Sequence, residues 1–177
     1  MRKTIILITV ALVLALANWT IVQREQLLKD GHIVLLELAP VDPRSLMQGD
    51  YMALRYALVD KAFPQRKATG RDDGYIVVAV DANQVASFHH FDDGTPLAAN
   101  QVKMRFRVRH EQVKFATNAW FFEEGSASLY ERAKYGEFRV AGNGEMLLSG
   151  MRGEDFAPLG KHAGASAKPA QLSDTGG

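Results

Sequence analysis

The sequence predicts a mostly β domain, a β-rich α+β fold with one short helix, carried outside the cytoplasm behind a single N-terminal transmembrane helix. Three observations predict it. An apolar run over residues 4–22 follows Arg2 and Lys3 and matches the roughly 20 apolar residues that a helix needs to cross a bilayer. From residue 33 the pattern changes to short apolar runs punctuated by Pro, Gly, Asp and Asn, as expected of strands joined by turns. Within that region, Val102, Met104, Phe106 and Val108 alternate with Lys103, Arg105, Arg107 and Arg109, the period of a half-buried strand.

Length and composition bound the rest. With 177 residues there is room for one ordinary core: an anchor with a helical extension over 1–29, a domain over 30–160, and a polar tail over 161–177 rich in Ala, Gly, Ser and Pro, expected to be disordered. The 21 Lys and Arg nearly balance the 20 Asp and Glu, so no overall field favours nucleic acid, and none is expected as a partner. The absence of Cys excludes disulfides, thiolate nucleophiles and Cys-ligated metal centres. No cofactor is implied.

The N-terminal run has two readings. Ala15-Leu16-Ala17 fits the small-x-small pattern at which a signal peptide is cut. Against cleavage, the apolar run reaches that site without a polar spacer, and Trp19 stands where an uncleaved anchor places its interfacial aromatic residues. We read an anchor. Arg2 and Lys3 hold its start in the cytoplasm, which translocates everything after Val22, in a Gram-negative cell into the periplasm. Residues 23–29 continue the helix until Asp30-Gly31 stops it, so the domain is expected close to the lipid.

Residues 33–38 form the first predicted strand, closed by Pro40 and Pro43, which cannot donate to a ladder. Residues 43–48 read as a tight helical or turn segment and residues 52–58 as the second strand. A polar, basic loop over 60–74 follows, carrying Lys61, Arg66, Lys67 and Arg71. Residues 75–81 and 85–91 form a hairpin around Asp81-Ala82-Asn83-Gln84, and 92–96 is a further turn. Past the alternating strand, Val113 and Phe115 point inward. Ser126 is the expected N-cap of the short helix, with Leu129, Tyr130 and Ala133 as its buried stripe. Residues 138–141 and 146–151 flank Gly142-Asn143-Gly144, the strongest hairpin signal in the chain.

Residues 49–56, Gly-Asp-Tyr-Met-Ala-Leu-Arg-Tyr, resemble the motif of the GDYxxLxY family of bacterial membrane-anchored proteins at every named position. The blocks at 117–125 and 130–140 also resemble that family. The resemblance implies a membrane-anchored protein accompanying polytopic membrane proteins, and brings no catalytic assignment. It suggests a non-enzymatic domain that associates with or regulates an integral membrane partner, with the bilayer itself contacted by residues 4–22.

Each candidate site has a plainer structural reading beside it. In an extended motif, Met52, Leu54, Tyr56 and Leu58 share the core face, and Tyr51, Ala53 and Arg55 point away. Asp50 beside Gly49 most simply accepts hydrogen bonds from turn amides, yet Asp50, Tyr51 and Arg55 are where a binding function is expected. Leu46-x-x-Gly49-Asp50 resembles the Gly-Asp box of signal-peptidase-like serine proteases, which makes an envelope serine hydrolase the alternative. There the Ser-Met nucleophile position holds Val41-Asp42, which leaves only Ser45 with Lys61 or Lys67 as a candidate dyad. His89-His90 beside Asp92-Asp93 has metal-capable side chains, but neighbours on a regular strand face opposite ways, so only a bulge or turn unites them. Arg105, Arg107 and Arg109 with Lys103 form a basic face. It reads either as a solvated, aggregation-blocking surface or as a binding surface for an anionic ligand or lipid headgroup.

Overall fold

The computed structural model describes residues 2–39, 47–48, 51–63, 73–109 and 112–160. Asp50, Gly49, Ser45, Lys67, the two prolines at 40 and 43, most of the basic loop and the tail over 161–177 lie outside these. The chain opens with one unbroken helix, α1 (Arg2–Asp30). No charged residue occurs between Lys3 and Arg24. Three polar side chains inside this stretch bond back to carbonyls one turn earlier: Thr9 to Ile5, Asn18 to Leu14 and Thr20 to Leu16. That satisfies them inside the helix, as an apolar medium demands. Ile5, Ile6, Leu7 and Ile8, each about 100° round the axis from the last, are all exposed, so α1 is apolar all round, consistent with a signal anchor or a signal sequence.

The helix ends without a linker. The Gly31 N–H bonds to the Leu27 carbonyl at 3.0 Å, and β1 (His32–Glu37) begins at the next residue. A Cβ on Gly31 would lie 2.4 Å from the Leu27 oxygen and 3.1 Å from the Arg139 Cβ, so glycine is required for this close approach. Leu27 is buried against the domain, and the Arg139 guanidinium donates to the Gly31 carbonyl at 3.5 Å.

The domain is β-rich, with two curled half-barrel sheets. One has the order β1-β9-β10-β11, using β9 (Tyr135–Val140), β10 (Met146–Arg152) and β11 (Pro158–Leu159). The other runs β5-β4-β6-β7, built from β4 (Gly74–Val80), β5 (Ala86–Phe91), β6 (Gln101–Arg109) and β7 (Gln112–Lys114). A small third sheet joins β2 (Met47–Gln48), β3 (Tyr51–Ala53) and β8 (Ala119–Phe121). Neighbours within every sheet are antiparallel. A single core unites them: Val34 and Leu36 of β1, Phe138 and Val140 of β9, Ile76 and Val78 of β4, Met104 and Phe106 of β6, and Met52 and Leu54 of the motif all belong to it.

Both expected hairpins form. Asp81 Oδ1 accepts the N–H groups of Asn83 and Val85 at 2.9 and 2.8 Å. At the second hairpin Asn143 Oδ1 takes the Glu145 N–H at 2.9 Å, and Gly144 adopts φ 85°. Packing explains the glycine as well, since a Cβ there would meet the Tyr75 ring at 2.9 Å.

Three expectations need correction. The strand expected over 52–58 ends at Ala53. Tyr56 makes an isolated bridge to Leu38, and α2 (Ala57–Ala62) follows, so a second short helix joins the expected one. The even-numbered residues 52 to 58 are all buried, but Leu58 and Ala62 are spaced i, i+4, and alternation alone does not say where period 2 gives way to period 3.6. In the segment read as helix or turn over 43–48, Met47 and Gln48 are a strand paired with Met52 and Tyr51. Finally, α3 (Ala127–Tyr130) is a single turn whose Ser126 makes no side-chain cap bond. Tyr130 is buried there, whereas Leu129 is 46% exposed: one turn is too short to build a stripe.

Candidate functional site

The described part of the motif is chiefly a packing device. Tyr56 is fully buried, edge-on to Phe115 and Phe138 at 5.9 and 5.5 Å between ring centres. Its hydroxyl donates to the Thr117 carbonyl at 2.9 Å, and burial pushes its phenol well above the ordinary range. The backbone is equally committed: the Leu54 N–H bonds to the Asn118 carbonyl and the Arg55 carbonyl accepts the Ala39 N–H. The motif thereby ties the end of β1 to the segment leading into β8. On its outer side, the Tyr51 ring leans on Phe121 of β8 at 5.7 Å, and the Arg55 side chain is exposed. Phe121 is itself 72% exposed and shares a groove with Trp120, Phe122 and Leu129. Lys61, one of the possible bases of a serine dyad, is exposed in the last turn of α2.

The basic face of β6 is differently constituted. Its inward half follows the expected alternation, with Met104 and Phe106 buried. Its outward charges meet acidic residues from other elements. Lys103 lies 3.6 Å from Asp92 and over the Tyr75 ring. The Arg105 guanidinium bonds Glu145, and its backbone N–H bonds the Gly144 carbonyl. Arg105 thus staples the tip of the β9–β10 hairpin to the edge of β6 beyond the end of β7. Arg109 grips both oxygens of Asp73 at 2.7 and 3.1 Å. This hydrogen bonding, together with the Val108 N–H, holds the Asp73 carboxyl below its usual range. Among the described residues Arg107 has no acidic partner, and it is exposed.

Arg107 has other company. A cleft of about 670 Å³ lies between the last turns of α1 and the β9–β10 hairpin, lined by Arg24, Gln23, Asp30, Arg107, Asn143 and Glu145 among others. A second cleft of about 240 Å³, at the seam between residues 115–117 and the start of β10, shares Arg24, Arg107 and Glu145 with the first. The placing of Arg24 and Arg107 on the same clefts has no signal in the sequence, because it depends on how α1 seats on the domain.

A charged network on β9 also escaped sequence reading. Glu137 is only 6% exposed and accepts from Arg152 Nε at 2.6 Å and Ser149 Oγ at 3.1 Å, with Arg139 at 3.7 Å. A bulge between Leu148 and Gly150 places Ser149 there. The Gly142–Gly144 hairpin signals that β9 pairs with β10, but the bulge shifts the register beyond Leu148, which the turn alone does not reveal.

The two histidines do meet. A bulge between Val77 and Val78 pairs Val77 with His90 and Val78 with Phe88, leaving His89 as the extra residue. The two Nδ1 atoms lie 2.6 Å apart, within hydrogen-bond reach of each other. Asp93 stands 3.8 Å from His90 Nε2. Among the described residues no group of three ligand-type side chains converges.

A family model matches residues 13–151, from the middle of α1 to the second-last residue of β10. The chain belongs to the GDYXXLXY protein family. The match takes in the second half of α1, the motif strand and both curled sheets apart from β11. No curated protein and no solved structure matches the chain.

Proposed function

We propose that this GDYXXLXY protein is a non-enzymatic, inner-membrane-anchored accessory domain, facing the periplasm, that docks onto and modulates an integral membrane partner. The observation that carries this reading is the junction. α1 enters β1 through the single residue Gly31, with Leu27 packed into the domain and Arg139 bonded across. A domain joined in this way cannot roam on a flexible tether, so it presents a fixed surface at a fixed height above the bilayer. The charge pattern of the first three residues supports a cytoplasmic start and a translocated domain.

The outer side of the motif supplies the surface. Phe121 and Leu129 are large, exposed apolar side chains on neighbouring elements beside Tyr51, the composition found at the centres of interfaces. Because the chain has no Cys, a single engineered thiol reports position cleanly. Leu129→Cys carrying a photo-crosslinker, in membranes of the native host, is expected to capture a polytopic protein. Ser87→Cys on β5 is the control and is expected not to. Recovery of the Leu129→Cys protein uncrosslinked, or with the same products as the Ser87→Cys control, would defeat the reading. So would a mature N-terminus beginning after Ala17.

A further inference from the structure

The outward face of β6 carries four basic residues, three of which are engaged by Asp92, Glu145 and Asp73. Among the described residues Arg107 is left without such a partner, and it lines two clefts that Arg24 also lines. Arg24 is the first charged residue after the apolar run of α1, two positions beyond Val22, which puts it at the headgroup level of a bilayer crossed by residues 4–22. We propose that the cleft between α1 and the β9–β10 hairpin binds a phosphate group, clamped between Arg24 and Arg107 at the bilayer surface.

The chemistry suits this ligand. Two guanidinium groups from different elements provide the charged, multi-donor grip that phosphate oxygens favour, and Gln23 and Asn143 add neutral amide donors on the lining. Glu145, one of the two acids on the wall, is engaged by Arg105. Asp30 and the negative end of the helix dipole lie six residues past Arg24, about 9 Å along the axis. They bias an anion toward the arginine end. The clamp forms only because α1 is seated rigidly, so it is independent of the partner-docking surface at Phe121. Two sources offer the same chemistry: the phosphodiester of an anionic phospholipid, which the anchor places beside the cleft, and a soluble phosphate ester.

The test uses the full chain in neutral detergent micelles, with thermal unfolding read against added short-chain phosphatidylglycerol, short-chain phosphatidylcholine or glycerol phosphate. A ligand that binds only the folded state raises the melting temperature by an amount that grows with the logarithm of its concentration relative to Kd. Phosphatidylglycerol is expected to raise it and phosphatidylcholine to do so far less. Arg24→Gln and Arg107→Gln are each expected to weaken the apparent affinity about tenfold or more, while Arg132→Gln, an exposed charge on another face, leaves it unchanged. A response to glycerol phosphate equal to that for the lipid, and equally lost in both variants, also supports the clamp and assigns it to a soluble ester. Both side chains reach solvent, so the variants are expected to fold, and native mass spectrometry of lipid adducts provides a readout that does not depend on stability. The proposal is overturned if the Arg24→Gln, Arg107→Gln double variant keeps the wild-type response, if Arg132→Gln loses as much, or if neither phosphate ligand shifts melting or forms adducts.

Discussion

The motif strand and the basic strand β6 are both built on alternation, yet they use it in opposite ways. In the motif, the inward residues Met52, Leu54 and Tyr56 are all buried and the backbone of Leu54 and Arg55 is bonded to distant segments. Its recognisable letters are mostly structural. In β6 the inward residues Met104 and Phe106 are ordinary core, and the individuality lies outside, where each charge is matched with an acid far away in sequence or left for another element to meet. A conspicuous sequence signature can therefore mark a joint in the fold, while a bland run of Lys and Arg distinguishes its members only through tertiary pairing.

The largest expected effect tests the first half of that contrast. Tyr56→Ala removes a fully buried ring in edge contact with two others and should destabilise the domain by about 3–5 kcal/mol. Tyr56→Phe, which keeps the ring and orphans the Thr117 carbonyl, should cost about 1 kcal/mol. Arg55→Ala, one position away and exposed, should stay within about 0.5 kcal/mol. Denaturant unfolding of the detergent-solubilised chain measures all three. Tyr56 also predicts an alkaline limb. Its phenol is raised above the ordinary value of 10.0 in the folded state, so the unfolded chain ionises first and stability falls as the pH climbs past that value. Tyr56→Phe should flatten this fall. Equal losses at Arg55 and Tyr56 would break the distinction between inward and outward motif residues.

Next in size is the network around Glu137, which shows what a charge does when it is buried rather than displayed. Glu137→Ala leaves the part-buried Arg152 and Arg139 facing an empty position and should cost about 3–5 kcal/mol. Glu145→Ala, which frees an Arg105 that is about a third exposed, should cost far less, because solvent screens that pair. Pairing Glu137→Met with Arg152→Met should recover much of the loss, since replacing a buried ion pair by apolar groups is often neutral. If the double variant is as unstable as Glu137→Ala, the network contributes specific bonds that apolar packing cannot replace.

How far the sequence could be read follows the same division. The apolar N-terminal helix, the turns and strand parity were legible because each is local: Asp81 and Asn143 cap turns within four residues, and Met52, Leu54 and Tyr56 need only alternate positions to share a face. The change to α2 at Ala57 was not legible, because burial at Leu58 satisfies period 2 and period 3.6 alike. The pairings of Arg105 with Glu145, Arg109 with Asp73 and Glu137 with Arg152 were also hidden. Each joins residues 15 to 40 positions apart through registers that only the folded sheets define. His89 and His90 fall between the two cases, since a bulge was the stated condition for their meeting and the bulge is present.

The smallest expected effect sharpens the second half of the contrast, because it separates engaged from free arginines on one strand. Hydrogen bonds from the Arg109 side chain and the Val108 N–H lower the Asp73 carboxyl below its ordinary value of 3.8. A carboxyl lowered in the folded state supports stability in full above its unfolded value and loses that support as the pH falls through the lower folded value. The acid limb of unfolding below about pH 4 should therefore be shallower in Asp73→Asn. Arg109→Gln should reproduce this change, and the two together should be no worse than either alone, the signature of one shared interaction. Asp93, lowered by its bonds to Thr95, contributes a similar slope on a different loop, so Asp93→Asn should add to Asp73→Asn rather than overlap with it. Arg107→Gln should leave the acid limb untouched, because no described carboxylate answers to it. A matching change there would mean that Arg107 has an acidic partner after all, and would remove the reason for assigning it a ligand.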